Sequence, residues 1–456
     1  MRKWWKKIGV LAGGFLGLGG TLSTAHAQFG PLPAPAIRPV SSAVEPTPYI
    51  PPQFPEPGHA PSEPVSPFSL RDDGAPNAFT DLESAPAAPH PYHVALRLEY
   101  LHWWVSKVDI PAPLVTTSTA PDLITDFGAL FQPHTVVLVG PGRRSYSDLN
   151  GGRVTFGVAP GFLPPMEISG WSFHRDLLIF NSTSDGSFLL ARPVQLVNQP
   201  LITAVGTQAA YIAGAPGVGQ GGISIDSHLS LWGFDLVLFA PFCDNGVVAL
   251  DGIVGYKHAE LNENFTISNF LQSNVGQFFD GQVIPPGFIT NVVDNFASHN
   301  KFDGATLGLR TRLNWSRLTL ITDGKLSLGS THQTNSVIGF TTAGGLGGTS
   351  LLPGGILAQP SNGGIFTRHE FTAIPELNVS LSYQLFSFLR VFAGYDLLYW
   401  SSVGRPSGLI QTGVDPRQVP TDQNFDPTFR ATRPTTFVNS TDFFAHGFHI
   451  GIEFCY

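Results

Sequence analysis

Residues 447 to 456 read GFHIGIEFCY, and they alternate. Phe448, Ile450, Ile452, Phe454 and Tyr456 are apolar or aromatic, while Gly447, His449, Gly451, Glu453 and Cys455 are small, polar or mixed. A period of two is that of a strand with one apolar and one mixed face. A terminal segment of a water-soluble domain is usually polar and frayed. A strand ending on an exposed aromatic needs something to close onto.

Upstream the same texture recurs. Strand-like blocks stand at 94–105, 151–158, 166–180, 223–239, 247–258, 300–315, 317–330, 370–384, 389–401 and 443–456, ten in all. The links between them alternate. Short ones follow the second, fourth, sixth and eighth blocks, and the five others are long, most of them roughly 40 residues by this reading, a length rare within compact soluble domains. Alternating long and short links suit a membrane-spanning barrel, with long loops outside and tight turns in the periplasm.

The faces support it. In 370–384, Phe371, Ala373, Pro375, Leu377, Val379, Leu381 and Tyr383 oppose Glu370, Thr372, Glu376, Asn378, Ser380, Ser382 and Gln384, with Ile374 the exception. In 305–313, Leu307, Leu309 and Leu313 oppose Arg310 and Arg312. An Arg or Lys on the lipid side at mid-bilayer costs about 2–4 kcal/mol, so these charges are expected to point inward. Backbone groups in lipid also need partners, which forces a sheet to close. The expected fold is all-β: a closed antiparallel transmembrane β-barrel with an even number of strands, ten, or twelve if parts of the long links are further hairpins. Blocks 166–180 and 223–239 alternate poorly, which a bulge in one of them would also explain. A secreted β-sandwich or adhesin would alternate too, but would not need the alternation of link lengths.

Composition agrees. Of 456 residues 50 are Gly, 35 Phe and 8 Trp, only 13% are charged, and the formal net charge is −8. No basic stripe marks the chain after its first residues, so nucleic acid is not an expected partner. The start, MRKWWKKIGVLAGGFLGLGGTLSTAHAQ, has a basic region, an apolar Gly-rich core and a small-x-small site at Ala25–Ala27. It reads as a signal peptide over 1–27, with export to the outer membrane. Residues 28–92 are Pro-rich and read as a disordered periplasmic linker, and 93–456 as the barrel.

Expected interior residues are Arg97, Glu99, Asp251, Lys257, Arg310, Arg312, Lys325, Glu376, Arg390, Asp396 and Glu453. Expected aromatics at the membrane interfaces are Tyr100, Trp103, Trp104, Tyr399, Trp400 and Tyr456. No G-x-S-x-G, H-E-x-x-H or C-x-x-C motif is present, and the Gly-rich 344–350 lacks the Lys of a phosphate loop, so neither an enzyme nor a cofactor is expected. His332 has no partner at a defined spacing. The acidic stretches 181–186 and 294–304 could offer loop carboxylates to Ca²⁺, yet neither fits a twelve-residue calcium loop and no metal site is expected. Cys243 and Cys455 fall at the same rim on different strands, where one bridge is conceivable.

LRLEYLHWWV, GGRVTFG, SDGSFLLARP, GKLSLGSTHQT, PELNVSLSYQL, RVFAGYDLLYWSSVGRPSGLIQTGVDP and the terminal FFAHGFHIGIEF together resemble the planctomycete outer-membrane β-barrel family known as beta-barrel porin-like group seven. The resemblance covers about residues 92–456 and implies an outer-membrane barrel without catalytic residues. It also implies a cysteine pair near 243, where this chain has one cysteine. Two functions follow as expectations: a porin-like passive pore for small solutes or ions, or a non-conducting structural barrel displaying long loops to envelope or external partners. Expected partners are outer-membrane lipid and, through the closing strand 443–456, the barrel-assembly machinery.

Overall fold

A computed structural model describes residues 93–119, 128–146, 148–160, 163–197, 208–345 and 348–456. The expected signal peptide and linker lie outside these residues. Ten strands form the frame: β1 (His93–Val105), β2 (Leu149–Ala159), β3 (Met166–Ser184), β4 (Gly219–Asp244), β5 (Val248–Ser273), β6 (Ile289–Trp315), β7 (Leu318–Gly345), β8 (Gly364–Phe386), β9 (Leu389–Gly404) and β10 (Ser440–Cys455). Each pairs antiparallel with its chain neighbours. β10 also pairs with β1, Glu453 opposite Arg97 and Phe448 opposite His102, so the pairings run in a ring. The terminal alternating strand therefore closes onto the first.

The short links sit at what is called here the lower end. Between β4 and β5 the turn is set by side chains: Asp244 Oδ1 accepts from the Gly246 amide at 2.8 Å and Asn245 Oδ1 from the Val248 amide at 2.7 Å. Gly246 has φ +84°, a conformation that L side chains resist.

β4 to β7 are 26 to 28 residues long, far more than the roughly 9–11 that cross a bilayer. This corrects two of the expected long loops. The stretches 259–299 and 331–369 are mostly strand, and only 274–288 and 346–363 link them. The reason is a reversal of polarity along the strands. On β4 the outward residues run Ser224, Asp226, His228 and Ser230, then change to Trp232, Phe234, Leu236 and Leu238. Inward, Ile223, Ile225, Leu229 and Leu231 give way to Asp235. The upper half is apolar inside and polar outside; the lower half is apolar outside and charged inside, with Val237, Phe239 and Ile253 set among the charges. The period of two persists while its phase inverts. The upper strands thus read as polar loops, and 223–239 as poor alternation.

The upper links are folded. Val115–Ser118 and Thr135–Val139 from the first, Leu190–Leu196 and Gln208–Gly214 from the second, and Gly413–Val414 from the fifth build one five-stranded sheet. Among the described residues the helical segments are two single 3₁₀ turns, Pro406–Leu409 and Pro416–Gln418. Val115, Leu190, Ile356, Leu409 and Val414 are buried in one cluster with Ile225, Leu261, Phe265, Phe296 and Trp400 of the ring. Polar ties register the links on the strands. Asp294 of β6, fully buried, accepts from Arg192 Nη2 at 2.6 Å and from the Leu357 and Ala358 amides at 3.0 and 2.7 Å. A Cβ on Gly355 would lie 2.0 Å from its carboxylate oxygen, so only glycine lets the fourth link approach this closely. Arg405 of the fifth link donates to Glu263 of β5 at 2.5 and 2.7 Å. Tyr146 of the first link bonds Ser227 of β4 at 2.8 Å, and burial pushes its phenol far above the usual range.

Candidate functional site: the charged interior of the lower ring

The eleven charged residues expected inside lie on the inward parity of their strands. At the centre Arg310 of β6 donates four hydrogen bonds: to Asp323 of β7 at 2.7 Å twice, and to Glu167 of β3 at 2.6 and 3.0 Å. Lys257 of β5 lies 2.6 Å from both Asp235 of β4 and Glu376 of β8. Lys325 of β7 reaches the other Glu376 oxygen at 2.9 Å. Arg153 of β2 joins Glu99 of β1 at 3.1 Å to Asp396 of β9 at 3.2 Å. Asp396 also accepts from Asn378 at 2.6 Å and Trp103 Nε1 at 3.3 Å, and faces His449 Nδ1 at 3.1 Å.

Three of these ion pairs cross the ring, as Lys325 of β7 and Asp235 of β4, 3.9 Å apart, also do. β6 and β3, β5 and β8, and β2 and β9 are not neighbours in the pairing order, yet Arg310–Glu167, Lys257–Glu376 and Arg153–Asp396 join them. Planar guanidinium forks suit this bidentate work. The cavity left among them has a volume of about 80 Å³, room for a few waters. Arg97 stacks over Phe392, its guanidinium carbon 4.4 Å from the ring centre. Arg312 pairs with Asp251 at 2.9 Å, and Arg390 with Glu453 at 3.9 Å; both arginines are half-exposed at the lower end.

Four partners in this network, Arg153, Glu167, Asp235 and Asp323, were missing from the sequence reading. Parity was the available signal: Arg153 stands directly opposite Glu99, and Asp323 opposite Arg310. Glu167 and Asp235 sit in β3 and β4, the two strands whose sequence blocks alternate poorly.

Two expected interface aromatics are corrected. Trp103 is 2% exposed and Trp400 fully buried. They share the inward parity of Arg97 and Glu99, and of Asp396, so the period of two that placed the charges inside places these rings inside as well. Trp103 packs against Phe173 with ring centres 4.6 Å apart, and Trp400 donates to Thr331 at 3.0 Å. Tyr100, Trp104, Tyr399 and Tyr456 have the outward parity, Tyr456 being 96% exposed. The stretch 294–304 is part of β6, not a calcium loop, and its Asp294 is engaged by Arg192. Asn181–Ser184 likewise end β3. His332 does have a cross-strand neighbour, His369, with ring nitrogens 3.1 Å apart. Cys243 and Cys455 are both free.

The family described as Putative beta barrel porin-7 (BBP7) matches residues 96–456. No curated protein matches the sequence. Among solved structures, the chain is similar to the outer membrane protease OmpT from Escherichia coli at 8% identity, covering 80% of this chain and 96% of that one, with a TM-score of 0.34. It is similar to a Pseudomonas aeruginosa FadL homologue at 6% identity, covering 80% and 90%, with a TM-score of 0.19. The P. putida toluene transporter TodX follows at 8% identity, covering 81% and 90%, with a TM-score of 0.17.

Proposed function

The chain belongs to the beta barrel porin-7 family, and on that premise we propose that it is an outer-membrane β-barrel with a shut interior, working as a surface-display scaffold rather than an open pore. The lower outward face supports the membrane assignment. Leu98, Val154, Leu236, Val254, Leu307, Leu309, Leu381 and Ile450 are all between 39% and 59% exposed. An apolar band running round the ring exceeds what a protein leaves to water, and lipid is its natural cover. Tyr100, Trp104, Tyr399 and Tyr456 then serve as interface anchors. β10, as the closing strand, is the segment offered to the assembly machinery.

The observation that carries the shut interior is the set of ion pairs crossing the ring, with about 80 Å³ left between them. A ten-stranded ring is narrow enough for side chains to fill. Above it the packed links add an apolar seal. What remains for function is the folded head presented outside the cell. Single-channel recording of the detergent-folded protein in planar bilayers tests this. Insertion without conductance steps is expected. Stable steps that scale with salt would instead establish a passive pore for small solutes or ions.

A further inference from the structure

The outer wall above the apolar band carries a cluster that neither the shut interior nor the packed head uses. His174 and Asp176 stand two residues apart on the outward parity of β3, and His228 on β4 is directly opposite Asp176. Their side chains are 65%, 78% and 36% exposed. His228 Nδ1 lies 2.8 Å from Asp176 Oδ1, and His174 Nε2 lies 3.7 Å from Asp176 Oδ2. The imidazole rings meet edge to face, with centres 4.5 Å apart and planes at 63°. One ligand atom from each residue falls within 4.8 Å of the other two.

We propose that His174, Asp176 and His228 form a surface site for a divalent first-row transition metal such as Zn²⁺. Two neutral imidazole nitrogens and one carboxylate oxygen suit zinc and its neighbours better than Mg²⁺ or Ca²⁺, which prefer all-oxygen shells. Metal–ligand distances of roughly 2.0–2.2 Å place donors about 3.3 Å apart in a tetrahedron. The 2.8 and 3.7 Å separations are to the two different oxygens of Asp176, and single donors from the three residues lie within 4.8 Å, so rotation of the exposed side chains is what draws them to that spacing. The backbone positions need not move, because paired strands fix them: a residue, its neighbour two along and the residue opposite share one patch of one face. Three protein donors leave a fourth position open to water or to a donor arriving from outside. The site lies just above Trp232, where the outward face of β4 turns from apolar to polar, within reach of solutes at the cell surface.

The test is calorimetric titration of ZnCl₂ into the full chain folded in detergent, with intact folding checked by heat-modifiable migration. Wild type is expected to bind one equivalent. His174→Ala, His228→Ala and Asp176→Asn are each expected to weaken that equivalent by at least the roughly 10–100-fold that loss of even an outer partner costs. His332→Ala, which alters the other histidine pair on the wall, is expected to keep it. All the altered side chains are surface-exposed, so folding is expected to survive. Absence of binding by wild type overturns the proposal, as does unchanged binding in the first three variants or loss in His332→Ala.

Discussion

The lower and upper halves of this ring are made from the same strands and solve opposite problems. Below, leucines and valines face outward and the interior is held by Arg310, Lys257 and Arg153 reaching carboxylates across the ring. Above, Asn262, Asn264 and Thr266 face outward while Leu261, Phe265 and Ile267 face a core supplied by the links. The strand itself is indifferent: a period of two offers two faces, and the surroundings of each face decide which is apolar. Where lipid covers the outside, the inside carries the polar groups; where water covers the outside, the inside becomes an ordinary core.

The comparison can be broken most severely in the lower half. Arg310→Met removes the cation that hydrogen-bonds both Glu167 and Asp323 and leaves these two carboxylates without that shared partner. A loss of about 3–5 kcal/mol is expected, because removing one member of a buried pair costs far more than the pair contributes. Equilibrium unfolding in denaturant would read it, and a change under 1 kcal/mol would show that water already screens this layer. Asp294→Ala is the counterpart above. It takes the carboxylate from the buried Arg192 guanidinium, which keeps only its bond to Asn269 at 3.0 Å, and the acceptor from two amides of the fourth link. Its expected loss is similar or slightly smaller, with protease cleavage appearing first in 354–363 and the lower ring staying intact.

A second pair sharpens the boundary. Leu309 and Asn295 are both outward on β6, one below and one above the change of polarity. Leu309→Arg is expected to cost about 2–4 kcal/mol in a bilayer, and Asn295→Arg close to nothing. Equal costs would mean that the apolar band does not meet lipid. Smallest of all, Cys243→Ser with Cys455→Ser is expected to shift stability by no more than about 0.5 kcal/mol, since no bridge is lost. A thiol-reactive label should meanwhile modify exposed Cys243 faster than the half-buried Cys455.

These contrasts explain what was legible in the sequence. The ten blocks coincide with the ten strands of the ring, because below the change of polarity each strand carries its alternation in one phase. The same rule located Arg310, Lys257 and Asp396. The same parity places Trp103 and Trp400 inside, against the general preference of aromatics for membrane interfaces. The upper strands were missed for a different reason. ASHNKFDG and ENFTISNF are polar in composition, and their period shows only when inward Phe265, Ile267 and Phe302 are scored against the opposite phase. The cross-ring partners Glu167 and Asp235, and the sheet assembled from three separate links, depend on tertiary neighbours that no local pattern encodes.

The pairing of β1 with β10 carries a consequence for how the protein comes to be folded. Ala95 lies opposite Cys455, and the amides and carbonyls of Val94 and Tyr456 bond each other at 2.9 and 2.8 Å. Until that last contact forms, the sheet is an open sheet with two bare edges, and bare edges recruit other strands. The bond that removes them joins segments almost the whole described chain apart, the slowest kind to find by chance. The protein is thus exposed to mispairing through all of its assembly except the final step, and a chaperone that shields either edge should raise the yield of closed rings more than any stabilising substitution in the wall.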